Sequence, residues 1–454
     1  MPPSIATALT VLGVLFLMTR EVRHAEARSA ALWLPVLWLG ITGSRFVSQW
    51  IDLGAPTTNV EEGSFIDALY FSTLIAAAFY ALAKRGLTLS DVVRDNLWLV
   101  ALLAYSFLSV LWSDEPTVAA KRWIKTLGHP LMALIILSDP RPAEALRTVV
   151  RRCAIFLLPV SVLFIKYLPD LGRGFDAWSG EATNNGVGLT KNDLGYVCMV
   201  TGIVFVWDWL TVGRIAAPKQ RRAERLFIAG ALATAGWLLL TSQSTTSLLA
   251  AALGIATLVG LGHSLVPKRY FAAFVICVAV VATIVESTFS LYEVIVTALG
   301  KSPTLTDRTV IWADVLAMQE QPLIGYGFES FWLGYRLDLL WDKWWWRPIQ
   351  AHNGYIETYL NLGLIGVALL AAVLLSTFVR ISRQLQTDFE FARLRMALLF
   401  AILLFNYAEA AFKGVHFVWT IFFIVAMEYR PVRDASWTSE QPIAEDTSPS
   451  HARS

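Results

Sequence analysis

Apolar residues recur along the chain in long runs separated by mostly short polar stretches, at 4–19, 30–43, 65–83, 97–112, 123–138, 153–168, 194–213, 226–241, 246–262, 270–286, 355–379, 394–411 and 415–429. A run of about 17 to 25 apolar residues crosses a bilayer as a helix, because a spanning backbone must satisfy its own hydrogen bonds. The pattern predicts an all-α integral membrane protein of about 12–13 transmembrane helices. Several runs lie at the short end of that range, so the choice between twelve and thirteen, and with it the side of the N-terminus, stays open. Ala25-Glu26-Ala27 faintly resembles a signal cleavage site, but no basic stretch precedes the first run, so a retained first helix is expected.

Composition agrees with this reading. The 454 residues are 56% hydrophobic and 16% charged, with mean hydropathy +0.54, whereas soluble chains are about a quarter charged. A net charge of +2 gives no reason to expect nucleic acid. Cys153, Cys198 and Cys277 each lie in an apolar run without metal-ligand spacing and read as packing residues. Charge also orients the chain, since short cytoplasmic loops collect Lys and Arg. The alternate loops 20–29, 84–96, 139–152, 214–225, 263–269 and 380–395 hold 21 basic residues in 72 positions, against 12 in 135 for the intervening set. The first set is therefore expected on the cytoplasmic side of a bacterial inner membrane.

Two outer segments break the rule of short connectors, 166–193 and 287–354, and loops beyond about 12 to 15 residues are usually functional or disordered. The second is too aromatic for disorder. The plan is thus ten helices over 1–286 with an outer loop at 166–193, a large periplasmic loop with short helices at 287–354, three helices over 355–429, and a disordered cytoplasmic tail at 430–454.

Within the large loop, Thr306-Asp307-Arg308 opens a stretch whose Val310/Ile311, Val315 and Met318 share one helix face, stopped by Gln321-Pro322. Thr306 or Asp307 can cap this helix, and Arg308 then falls where a helix attracts anions. Both an anion site and an anchor to lipid headgroups or Asp307 fit that position. Gly325 and Gly327 mark a close turn without the Lys-Ser/Thr of a phosphate loop. Trp332, Trp341, Trp344, Trp345, Trp346 and Tyr335 suit an interfacial belt or a sugar-stacking platform. His352 enters the next apolar run with Asn353 as its expected cap and Glu357 about a turn on, able to orient the imidazole. A structural histidine fits the same position.

The order Arg308-Thr-Val-Ile-Trp312, Gln321-Pro-Leu-Ile-Gly-Tyr-Gly-Phe328, His352-Asn-Gly-Tyr-Ile-Glu357 and Leu362-Gly-Leu-Ile-Gly366 resembles the O-antigen ligase and Wzy-type polymerase family. The resemblance is densest over 240–375. Gly188-Leu-Thr-Lys191-Asn192-Asp-Leu-Gly195 and Ser242-Gln-Ser-Thr-Thr-Ser-Leu look most like its exopolysaccharide polymerase branch. It implies a GT-C-like, metal-independent, inverting glycosyltransferase with no cofactor. The donor would be an undecaprenyl-diphosphate-linked glycan drawn from the membrane lipid, and the repeats would be polymerised at the periplasmic face. Transfer to lipid A core, the ligase reaction, is the alternative. By the same resemblance His352 is the base or acceptor-orienting group, Arg308 a cation at the leaving diphosphate, and Lys191 a second cation. Lys191 stands where the family often has Arg, and a snorkelling anchor fits it too. Arg173 is second choice for that cation, while Asn353, Glu357, Tyr326 and Trp332 are candidates for binding substrate. A chain-length regulator and export machinery would be functional partners.

Two other classes compete. A transporter of lipid-linked glycan predicts ionisable groups inside helices, for which Asp208 and Glu409 are the candidates. A cell-wall glycan polymerase of the shape and division type would rely on acidic loop residues, such as Asp338 and Asp342, rather than on His352.

Overall fold

The computed structural model describes residues 1–24, 29–53, 64–175, 180–214, 217–264, 266, 268–271, 275 and 308–429. The run at 276–286, Cys277, Thr306, Asp307, the rest of 287–307, Ala25-Glu26-Ala27 and the tail from Arg430 lie outside the described residues. The helices are α1 (Pro3–His24), α2 (Trp33–Thr42), α3 (Val47–Ile51), α4 (Phe65–Lys84), α5 (Leu89–Asp95), α6 (Leu97–Leu108), α7 (Pro116–Thr126), α8 (Gly128–Leu137), α9 (Pro142–Tyr167), α10 (Pro169–Gly172), α11 (Lys191–Thr211), α12 (Pro218–Ser242), α13 (Thr245–Leu261), α14 (Arg308–Ala317), α15 (Gly334–Lys343), α16 (Gly354–Gln384), α17 (Phe389–Ala408) and α18 (Phe417–Ala426). A short antiparallel hairpin pairs Arg173–Phe175 with Ala182–Asn184.

Seven of the described helices are long and apolar enough to cross a membrane, and eight if α5 and α6, bent by 102°, form one span. Shorter apolar helices run over Ala30–Thr42, Thr245–Leu261 and Phe417–Ala426. The chain is an all-α, multi-pass membrane protein. Each predicted apolar run within the described residues falls on helix, with three departures in detail. The run at 123–138 is divided between α7 and α8, and that at 415–429 narrows to α18. The run at 153–168 belongs to a helix that begins at Pro142, because Arg147 and Arg151 turn inward onto Asp208 and extend α9 by a polar, paired end.

Small residues set the closest approaches. A Cβ on Gly254 of α13 would lie 2.5 Å from Ile203 of α11, and one on Gly128 would lie 1.9 Å from the Trp38 ring. α1 packs chiefly on α9 and leaves Leu9, Leu12, Leu15 and Phe16 exposed, as suits a lipid-facing helix.

The long loop has its own core. Ile311 and Val315 of α14, Leu337 and Leu340 of α15, and Tyr326, Phe331 and Trp332 between them pack together with Ala351 and Leu360. This core is tied to the bundle through the two glycine motifs. Gly363 interrupts α16 with φ 63° and ψ −164°, and a Cβ there would lie 2.3 Å from Leu323 O. The backbone groups freed by the break are paired. Tyr326 N and Gly327 N donate to Leu360 O and Asn361 O at 3.1 and 2.9 Å, while Leu364 N and Ile365 N donate to Pro322 O and Leu323 O at 2.8 and 3.2 Å. Irregular backbone at such a depth is tolerated where protein re-satisfies it, and here the Pro322–Phe328 turn does so.

Candidate active site at a helix junction

The junction of α16 and α17 places the site. Asn353 Oδ1 accepts from Tyr355 N at 2.9 Å and Ile356 N at 3.0 Å, the cap expected of it. Its amide donates to Tyr407 O at 3.0 Å, and Gly354 N donates to Glu409 O at 3.1 Å. The start of α16 and the end of α17 are thus bonded side by side, which sets His352 opposite Glu409.

His352 Nδ1 lies 3.2 Å from Glu409 Oε2 and 3.3 Å from Gln350 Nε2. Its backbone is left-handed, φ 51°, a conformation that costs a non-glycine residue roughly 1–3 kcal/mol and persists where surroundings enforce it. The side chain keeps 24% of its surface, against 7% for Glu409. A carboxylate on Nδ1 favours the proton there, leaving the lone pair on Nε2.

Glu409 gathers residues far apart in sequence. Its Oε1 accepts from Arg308 Nη2 at 2.7 Å and Asn192 Nδ2 at 2.6 Å, and Arg308 Nη1 donates to Ala408 O. Ser244 Oγ donates to Asn192 Oδ1 at 2.9 Å and lies 2.9 Å from Ser247 Oγ. Gly195 makes this approach feasible, since a Cβ there would lie 2.4 Å from Ser247 Oγ. The Lys191-Asn192-Asp193-Leu194-Gly195 and Ser242–Ser247 motifs therefore meet the long-loop motifs at one carboxylate. Burial alone would push the Glu409 carboxyl up, but the Arg308 charge and the His352 and Arg308 hydrogen bonds hold it down at about 2.

Other predicted residues stand differently. Glu357 does not orient His352. It accepts from Ala351 N at 2.6 Å and from Trp332 Nε1 at 3.1 and 3.0 Å, fixing the peptide before His352 instead of its ring. The left-handed turn at His352 aims the imidazole at Glu409, whereas Glu357 is held in the loop core. Trp332 is buried, with its indole nitrogen on Glu357, and Tyr326 OH donates to Met318 O at 2.8 Å beneath the Arg336 guanidinium. Both are core residues of the loop, whereas Tyr335 and Trp345 are exposed. Arg173 Nε donates to Ile165 O at 2.9 Å, at the end of α9. Lys191 is half-buried in the first turn of α11, and its neighbour Asn192 makes the contact to Glu409.

Glu409 itself was placed by sequence only among the residues a transporter would need. The usable signal was its position in an apolar run, where an ionisable side chain is costly and needs a partner. The structure supplies two, Arg308 and His352. Asp208, the other such residue, is paired with Arg147 and Arg151.

Residues 230–371, which include Arg308 and His352, match the family described as O-antigen ligase. The chain is also 31% identical over 365 residues to the exopolysaccharide production protein ExoQ of Rhizobium meliloti (strain 1021), covering 73% of this chain and 79% of that one. The matched segment thus contains the histidine and arginine of the junction. The chain belongs to the O-antigen ligase family, glycosyltransferase-like membrane enzymes of polysaccharide assembly, in the branch that includes a protein of exopolysaccharide production.

Proposed function

We propose that the protein polymerises undecaprenyl-diphosphate-linked oligosaccharide repeats into exopolysaccharide or O-antigen at the periplasmic face of the inner membrane. The observation that carries this reading is His352, strained and a quarter exposed, on a buried carboxylate that Arg308 and Asn192 also hold. In the proposed reaction an acceptor hydroxyl oxygen attacks the anomeric carbon of the donor glycan with inversion. The bond from that carbon to the diphosphate oxygen breaks, undecaprenyl diphosphate leaves with the electron pair, and the hydroxyl proton passes to His352 Nε2. Glu409 stabilises the imidazolium that forms, and Arg308 keeps Glu409 ionised and in place. No metal is needed where a base and cationic donors serve both ends of the transfer.

Sidedness draws support from the basic segments 139–152 and 214–225. Arg151 of the first pairs with Glu224 of the second, and Asp208, which also meets Arg151, is separated from Lys191 by most of α11, about 25 Å at 1.5 Å per residue. A separation of that length supports opposite membrane faces for the basic end and His352. The exopolysaccharide relative favours polymerisation over transfer to lipid A core. A transporter gains no support, since both of its candidate carboxylates are paired with arginine.

The test is reconstitution of the purified full-length protein with a lipid-linked repeat. Wild type should give a ladder of lipid-linked polymer, and His352→Ala should leave single repeats. Product attached only to added lipid A core would make the protein a ligase. Absence of transfer to either acceptor would remove the enzymatic reading.

A further inference from the structure

Asn192 joins α11 to the junction through an amide whose two ends are alike in shape and opposite in chemistry. Its nitrogen donates to Glu409 Oε1 at 2.6 Å, and its oxygen accepts from Ser244 Oγ at 2.9 Å. An ionised carboxylate only accepts, so the NH2 group has to face Glu409. A flipped amide would set two acceptor oxygens against each other at that distance. The carboxylate would then turn away, and its contacts to Arg308 and His352 would go with it. Nothing within the Asn192 side chain selects the productive orientation. A donor on its far side does.

Ser244 is that donor, and its setting shows how firmly it is committed. It is the N-cap of α13, a position where serine ordinarily accepts from the backbone of the first turn, yet its side chain makes no such bond. Ser247, one turn on, has its hydroxyl 2.9 Å from Ser244 Oγ. Each hydroxyl carries one proton. With the Ser244 proton on Asn192, Ser247 is the donor to Ser244, and the chain runs in one direction from Ser247 through Ser244 and Asn192 to Glu409. Both serines are buried, 3% and 0% exposed, where a polar group depends on its protein partner. The backbone is bent to allow this. Gln243, between the end of α12 and Ser244, is left-handed with φ 59°, a region that side-chain-bearing residues seldom occupy. On the facing helix, a Cβ on Gly195 would lie 2.8 Å from Ser244 Oγ.

We infer that Ser244 is a positioning residue for the proposed transfer: it holds the Asn192 amide in the orientation that keeps Glu409 paired with His352, and Ser247 fixes the Ser244 proton. The inference rests on the glycosyltransferase reading and names residues outside the long loop on which the base depends.

The experiment is a double-mutant cycle on the purified full-length protein in nanodiscs, read both as kcat and KM and as melting temperature. The substrate is the lipid-linked repeat that accumulates in the deletion strain. Ser244→Ala should lower kcat about fivefold, the worth of a neutral hydrogen bond, with KM within about twofold of wild type. Ser247→Ala, one link further back, should lower kcat about twofold by the same reasoning. Ser244→Ala combined with Asn192→Ala should be no slower than Asn192→Ala alone, whereas independent losses of about fivefold and tenfold would multiply to about fiftyfold. The melting temperature should follow the same pattern, with Ser244→Ala lowering it less in the Asn192→Ala background than in wild type. A multiplicative kcat would show that Ser244 acts apart from Asn192 and would overturn the assignment. A raised KM with unchanged kcat would also overturn it, by making Ser244 a substrate contact. If wild type transfers no glycan, the glycosyltransferase reading falls, and the melting cycle alone decides whether Ser244 holds Asn192: coupled losses sustain that link and additive losses remove it.

Discussion

Two buried ionic clusters stand at opposite ends of α11, and they are built for different ends. At one end Asp208 lies 3.0 Å from Arg147 Nε and 3.2 Å from Arg151 Nε, with Glu224, Glu21 and Arg20 completing the set. Trp207 and Phe227 cover the guanidinium faces. Acid and base alternate, and the cluster ties α1, α9, α11 and α12 together. At the other end Asn192 joins Glu409, Arg308 and His352. That cluster includes the one side-chain type whose ordinary titration range spans physiological pH. It is held in a strained backbone and exposed by a quarter. Burial and ion pairing are common to both. What separates the candidate catalytic cluster from the structural one is a histidine, strained in its backbone and left partly accessible.

The largest effect is expected at His352. His352→Ala should lower the rate of polymer formation by about 10²- to 10⁴-fold, the usual worth of a positioned general base, with membrane level and melting temperature close to wild type. Quantifying polymer and protein together in the complemented deletion strain checks this. A variant that disappears from the membrane would move His352 to the structural class. Asp208→Ala should do the reverse. Arg151 keeps Glu224 and Glu21 while Arg147 loses its carboxylate, a loss of roughly 1–3 kcal/mol, so accumulation and thermal stability should fall while turnover per folded molecule holds. Loss of turnover in a stable Asp208→Ala protein would erase the contrast between the clusters.

The contrast also shows which parts of the molecule were legible before the structure. Runs of apolar residues gave the helices, because the bilayer enforces a length and a composition that sequence displays directly. The cap at Asn353 and the importance of His352 and Arg308 were local or carried by ordered motifs. The pairing of His352 with Glu409 was not, since it joins residues 57 apart across two helices and the turn between them, whereas Glu357 lay nearby in sequence and was the natural choice. Local spacing places Glu357 within reach, but the left-handed turn at His352 directs the ring elsewhere. The same reason hid the fit of Gly325 and Gly327 against Gly363: each motif reads as a turn alone, and only the fold shows that each supplies the other's missing hydrogen bonds. Trp332 packs in the loop's own core with its indole nitrogen on Glu357, a placement that local sequence does not display.

A smaller effect sharpens the electrostatic side of the comparison. The Glu409 carboxyl falls from 4.5 to about 2 on folding, equivalent to roughly 3 kcal/mol by linkage. Because the folded value lies below the unfolded one, this contribution is complete above about pH 4.5 and fades as pH drops toward 2. Thermal melts of wild type and Glu409→Gln in the same nanodiscs should differ most near neutrality and converge on acidification below pH 4.5. A gap that stays constant to pH 3 would mean that the Arg308 pair does not stabilise the ionised form.

The smallest effect distinguishes two adjacent residues. Asn192 donates directly to the ionised Glu409 at 2.6 Å, and a hydrogen bond to a charged group contributes about 1.5–3 kcal/mol, so Asn192→Ala should lower kcat about tenfold or more with little change in KM. Lys191 stands one residue earlier in the first turn of α11. If its charge lies near the diphosphate only at long range, screening leaves Lys191→Ala with no more than about a threefold rise in KM. The two variants therefore separate positioning from attraction by which kinetic constant moves. If Lys191→Ala instead lowers kcat by more than Asn192→Ala does, the lysine is a direct partner of the leaving group and the family's second cation sits at Lys191 after all. In that outcome the first turn of α11 would meet the diphosphate directly, and the division between positioning by Asn192 and attraction by Lys191 would have to be redrawn around Glu409.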